Sequence, residues 1–180
     1  MPGRPTVAHH RHPADNVKRN IIGRNSDKQT VVDTMIITAA EQQTMNYYMN
    51  QSGFYKNDKG RKLYEEICLV EEEHVTQYGS LMDSTVGWFE MMLWHEYVEC
   101  YLYWSCYQTE TDARIKKIWE EFFITETAHL HAAEKLLKKY EKKDHSAVIG
   151  DGTFPAPISL HENIEYVRPV SYTHLTLPTI

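Results

Sequence analysis

"LVEEEHVTQYGSL", Leu69 to Leu81, sets a glutamate three residues ahead of a histidine inside an otherwise core-like helical pattern, and "ITETAHLHAAEKLL", from Ile124, does so again. With ten histidines in the chain, roughly one Glu-x-x-His is expected by chance, so a single copy carries little weight. The two copies belong to a longer internal repeat. A shift of 55 residues lays "RKLYEEI", Arg61 to Ile67, on "KKIWEEF", Lys116 to Phe122, and brings Glu71 onto Glu126 and His74 onto His129. The same shift brings Glu41 onto Glu96 and Tyr48 onto Tyr103. One register matching all of these positions reads as two copies of one helical hairpin.

Punctuation residues set the element boundaries. No proline lies between Pro13 and Pro155, and glycines fall near 51 to 60 and 79 to 87, which leaves long uninterrupted helical segments. The "TETD" at Thr109 to Asp112 supplies residues that cap a helix start. Four helices are expected, at roughly 28 to 50, 59 to 79, 88 to 108 and 111 to 143, making an all-α four-helix bundle of two repeated hairpins. Residues 1–26 read as a flexible segment, 27–143 as the bundle and 144–168 as an irregular extension. The tail "PVSYTHLTLPTI", Pro169 to Ile180, resembles translated sequencing-adapter read-through and is expected to be non-native, with the natural chain continuing differently after about residue 168.

The chain has 180 residues and a net charge of -6. That length suits one domain with its own core, and the charge, with no Lys/Arg stripe, argues against nucleic acid. No run of eighteen apolar residues suggests a membrane span, and the N-terminus lacks the apolar segment of a secretory signal. Cys68, Cys100 and Cys106 form no CxxC pair, so buried free thiols and a cytoplasmic location are expected.

Helical periodicity places the repeat's polar residues on apolar stripes. Leu63, Ile67, Glu71, His74, Tyr78 and Leu81 recur at spacings of three and four, as do Ile118, Phe122, Glu126, His129, Ala133 and Leu136. Ile37, Glu41, Met45 and Tyr48 share a face of the first helix, and Met92, Glu96, Glu99 and Tyr103 one of the third. If these stripes face inward, the bundle buries five carboxylates. Taking ionised carboxylates out of water costs several kcal/mol each after relaxation, and crowding like charges adds to it. Either they protonate or cations sit among them. Glutamate and imidazole donors suit iron or manganese, with zinc and cobalt as alternatives. Charge favours a pair of ions: two divalent cations, or a diferric pair with an oxo bridge, supply four positive charges against five negative ones.

One Glu from each of two helices plus a Glu-x-x-His from each of the other two is the ligand pattern of di-iron and di-manganese bundles. Over Asp27 to Lys143 the chain therefore resembles the ferritin-like superfamily, and within it the rubrerythrin group. Glu99, three residues after Glu96 in "HEYVECY", carries the closer resemblance, because Thr44 stands in its place in the first half. The resemblance implies two iron ions, with manganese as the alternative. It implies that Glu71 and Glu126 bridge them, that Glu41, Glu96, His74 and His129 are terminal ligands, and that Glu99 exchanges with His74 as the oxidation state changes. Tyr48 and Tyr103 would hydrogen-bond metal-bound carboxylates and tune the metal. The implied function is reduction of hydrogen peroxide or dioxygen with electrons from an external donor protein, since no paired CxxC motifs are present to build a rubredoxin domain. A ferroxidase or iron-storage subunit and a manganese catalase are the alternatives.

The join between the halves is short for this pattern. Only 21 residues separate His74 from Glu96, whereas ferritin-like bundles use a long crossover there. Eleven extended residues near Gly79 to Phe89 span at most about 36 Å, and a homodimer exchanging hairpins would relieve the constraint. Of the remaining features, Glu72 and Glu73 fall off the stripe and are expected to be solvated. Trp88, Phe89, Trp94, Tyr97, Tyr101, Tyr103 and Trp104 read as core and subunit interface, Cys100 as a packed thiol, and His9, His10 and His12 as incidental.

Overall fold

Each of the four long helices in the computed structural model, which describes residues 26–83, 85–158 and 165, begins at a residue with extended backbone, and three of the four starts carry a side-chain cap. Asp27 accepts the Thr30 N–H at 2.9 Å and opens α1 (Lys28–Ser52). Asn57 accepts the Gly60 N–H at 2.7 Å and opens α2 (Asp58–Gly79). Asp112 accepts from Arg114 and Ile115 and opens α4 (Ala113–Leu136). These side chains satisfy N–H groups that have no partner within the helix. Asn57 and Asp112 are themselves 55 positions apart, so the two Glu-x-x-His helices start at equivalent points of the repeat.

The fourth start, α3 (Trp88–Thr109), follows Gly87 and has no cap from its own chain neighbours. Glu141 supplies it instead, accepting the Phe89 N–H at 2.7 Å. It arrives there because α4 gives way to a π-helical turn, Leu137–Glu141, with Leu137 fully buried. Lys143 then pairs with the buried Glu90 and, at 3.6 Å, with Glu141. The turn from α3 to α4 is organised by Glu110, whose carboxylate accepts the N–H groups of Thr111 and Asp112. The expected four helices are therefore present at nearly the expected bounds, with the last one ending in a wider turn rather than running to 143.

Packing is strongest between consecutive helices: α1 lies along α2, and α3 along α4. The two hairpins meet mainly through α1 and α3. Val32, Leu93, Tyr97, Val98, Tyr101, Ala133, Leu137 and Ile149 form one buried cluster there, with Met35 and Ile36 packed against it. Burying such side chains contributes roughly 1.5–3 kcal/mol each for the larger ones.

Residues 144–158 belong to this core. A short helix, α5 (Ser146–Ile149), is followed by a bend at Gly150 and Gly152, whose φ values of 68° and 76° favour residues without a Cβ. Phe154 then packs against Tyr97, Tyr101, Trp104 and Phe123. The Tyr97 hydroxyl donates to the Thr153 carbonyl at 2.6 Å, and that of Tyr101 to the Ala156 carbonyl at 2.7 Å. Irregular backbone is thus held across α3 by its own carbonyls. Pro169 to Ile180 and His9, His10 and His12 lie outside the described residues.

One expectation about packing is not met within a single chain. Helix α2 makes no substantial contact with α3 or α4, so the two Glu-x-x-His stripes do not face each other across a shared core. Leu63 is 58% exposed, Ile118 46%, Phe122 45% and Ile37 38%. The reason is visible on α1: at ~100° per residue Val32 and Glu41 fall on opposite faces. On α1 the hairpins are joined by the face turned away from Glu41, and on α3 by Leu93, Tyr97 and Tyr101, which lie about 60–140° round the helix from Glu96. Residues 80–87, the whole connection between α2 and α3, are too few to add the long crossover that the expected arrangement requires.

Candidate metal centre

Each hairpin assembles one carboxylate–carboxylate–imidazole triad. Glu71 and His74 lie three residues apart on α2, hence on one face, and α1 delivers Glu41 opposite them. His74 Nδ1 stands 3.2 Å from Glu71 Oε2 and 3.3 Å from Glu41 Oε2. In the second hairpin, His129 Nδ1 stands 2.9 Å from Glu126 Oε2 and 3.9 Å from Glu96 Oε2. In each triad the three donor atoms lie within 4.8 Å of one another. All four carboxylates are half-buried, while His129 is exposed.

The titration of these groups reflects their crowding. The Glu41 carboxyl is held above its usual range by a hydrogen bond with Glu71 and then by burial, with His74 pulling the other way. Burial is the main cause that raises Glu96, and Glu126 adds to it, while His95 and His129 oppose. His129 is raised above the ordinary imidazole value by its hydrogen bond to Glu126. A raised carboxyl crowded by a second one marks a place where a cation would relieve the repulsion of like charges. Each oxygen-rich, nitrogen-supplemented donor set could hold a metal ion.

Compared with protein-family models, curated proteins and solved structures, the chain matches none. The reading of the site therefore stands on this chain's own repeat and geometry. The repeat extends to contacts that the sequence alignment alone does not show. Tyr48 packs on Tyr64 with ring centroids 5.9 Å apart, and Tyr103, its counterpart, packs on Trp119, the counterpart of Tyr64, at 6.2 Å.

The other residues singled out fall close to one triad or neither. Tyr48 and Tyr103 are fixed by ring contacts, Tyr103 also against Phe122. The Tyr103 hydroxyl is raised by burial first and then by Glu99 and Glu126, which places it beside the second triad. Glu99 is half-buried on α3 and is not among the donors of either triad. His74, its expected exchange partner, sits on the other hairpin. Cys100 is buried, its thiol pushed up to about 12 chiefly by burial, which leaves it protonated and unreactive. Trp88 is exposed, whereas Tyr97 and Tyr101 are core.

Glu72 departs from expectation: it is buried, not solvated. Its repeat counterpart is Thr127, whose hydroxyl donates to the Phe123 carbonyl at 2.8 Å, and the counterpart of the buried Cys100 is the buried Met45.

Among the described residues no helix is long and apolar enough to cross a membrane.

Proposed function

We propose that the chain is a ferritin-like, rubrerythrin-like di-metal carboxylate protein that reduces hydrogen peroxide or dioxygen with electrons from an external donor, using two iron ions. The observation that supports this best is the occurrence of the same Glu, Glu and His donors, at the same 55-residue offset, converging in both hairpins. Bound iron would supply electrons and Lewis acidity at the oxygen–oxygen bond.

The chain's own groups do the rest. Glu71 and Glu126 present carboxylates one helical turn from their histidines and are the bridging candidates. Glu41, Glu96, His74 and His129 are the terminal ones. Protons compete with cations for Glu41, raised beside Glu71, and for His129, raised by Glu126, so metal loading is coupled to proton release. Glu99, half-buried beside Tyr103, is available as a further carboxylate. Reduction of one peroxide to two waters takes two electrons and two protons.

Anaerobic loading with ferrous iron, followed by titration with hydrogen peroxide, tests the reading. About two irons per chain, oxidised by one peroxide and re-reduced by an added donor, is the expected result. Peroxide loss without any reductant would move the assignment to a manganese catalase. Retention of many irons per chain would move it to iron storage. Absence of bound metal under both iron and manganese supplementation overturns it.

A further inference from the structure

Taken with the di-metal reading, on which it rests, the structure leaves each chain with two half-sites and two uncovered apolar faces. On α4, Ile115, Ile118 and Phe122 are exposed and continuous with Glu126; on α2, Leu63 and Val70 flank Glu71 and His74. The hairpins of one chain are locked together through Val32, Leu93, Tyr97 and Tyr101, a docking that leaves Glu41 on the opposite side of α1 from the core, at ~100° per residue. They cannot close on each other without dismantling that cluster.

We infer that a second copy of this chain completes the metal centre, the first hairpin of one copy packing its Glu41–Glu71–His74 face on the partner's Glu96–Glu126–His129 face, and the reverse. Pairing unlike hairpins satisfies both faces with a single two-fold axis and closes at two copies. Pairing like with like would use a separate two-fold at each face, and unless the two axes coincided the copies would run on as an open chain. Charge points the same way. Unlike pairing gives both sites five carboxylates when Glu99 is included, whereas like pairing gives four at one site and six at the other. Two divalent cations suit five carboxylates at each of two equivalent sites.

Complementation between inactive variants reads this directly. Chains carrying Glu71→Ala with His74→Ala retain only the second half-site, and chains carrying Glu126→Ala with His129→Ala only the first. Each alone is expected to bind no tight metal pair. Unfolded and refolded together, mixed dimers contain one intact site and one doubly broken site, so about a quarter of wild-type metal should return, half of the dimers being mixed. No recovery on mixing, or one full site in either variant alone, overturns the unlike pairing.

Sedimentation of the metal-free wild-type chain separates this from the metal reading. A dimer is expected, and Ile118→Lys, at a position exposed in the single chain, should give a helical monomer. A dimer that binds no metal would sink the metal reading and leave the pairing standing. A monomer would overturn the pairing whatever its metal content.

Discussion

Glu41 and Glu71 stand against His74 with one more acid than the imidazole can neutralise, and the consequences can be measured without any metal. A carboxyl whose folded pKa is raised binds more protons folded than unfolded between the two values, so stability falls as pH rises through that window. Glu41 and Glu96 both behave in this way. His129, also raised, contributes stability that is present below the unfolded value of about 6.5 and is lost as pH rises through its folded value. Melts of the metal-free chain should therefore show a falling Tm from just above the ordinary carboxylate range, about pH 4.3, through the histidine range. Metal affinity should rise over the same interval, because cations compete with those protons. A Tm that climbs steadily to neutrality would contradict this electrostatic account. Glu71→Gln should hold or raise the metal-free Tm by removing a like charge, while lowering metal affinity at least about tenfold, as loss of a ligand exceeds the 10- to 100-fold cost of losing an outer partner. Glu99→Thr, the residue its repeat counterpart carries, should impair peroxide turnover and spare most bound metal; unchanged turnover removes the main reason for preferring the rubrerythrin group.

Helix bounds were readable from single residues because caps are local chemistry. Asp112, in the "TETD" stretch, announces α4 through its own side chain; Asn57 caps α2 in the same way in the structure, and replacing either with Ala should cost about 1 kcal/mol. Because they sit in different hairpins, the double variant should lose close to the sum, as read from denaturant melts. Two elements were not readable in this way. The cap of α3 comes from Glu141, more than fifty positions away, and no local pattern reports such a pairing. The segment from Gly150 to Ile158 has no period to read, since Phe154 and two carbonyls bind it to α3. Tyr97→Phe and Tyr101→Phe each remove one such hydrogen bond and should cost about 1 kcal/mol apiece, with faster hydrogen exchange confined to residues 150–158.

At the scale of the molecule, periodicity reported which face of each helix is apolar and carries the glutamates, but not what covers that face. Leu63, Ile118 and Phe122 satisfied every sequence criterion for core positions and are exposed in the single chain. The core formed instead between α1 and α3, on the side of α1 opposite Glu41, where Val32, Leu93, Tyr97 and Tyr101 interlock. The candidate ligands and their division between two hairpins were readable because a 55-residue repeat constrains pairs of residues, and the separation of the two sets within one chain was not, because it depends on how the hairpins dock. On the di-metal proposal, these glutamates and histidines hold a pair of metal ions. Anaerobic metal analysis of the chain after iron loading, beside Glu71→Gln and Glu126→Gln, tests it most directly. About two irons per wild-type chain, lost in both variants with helical content intact, is the predicted result; metal content that is negligible in the wild type, or unchanged in the variants, would contradict it.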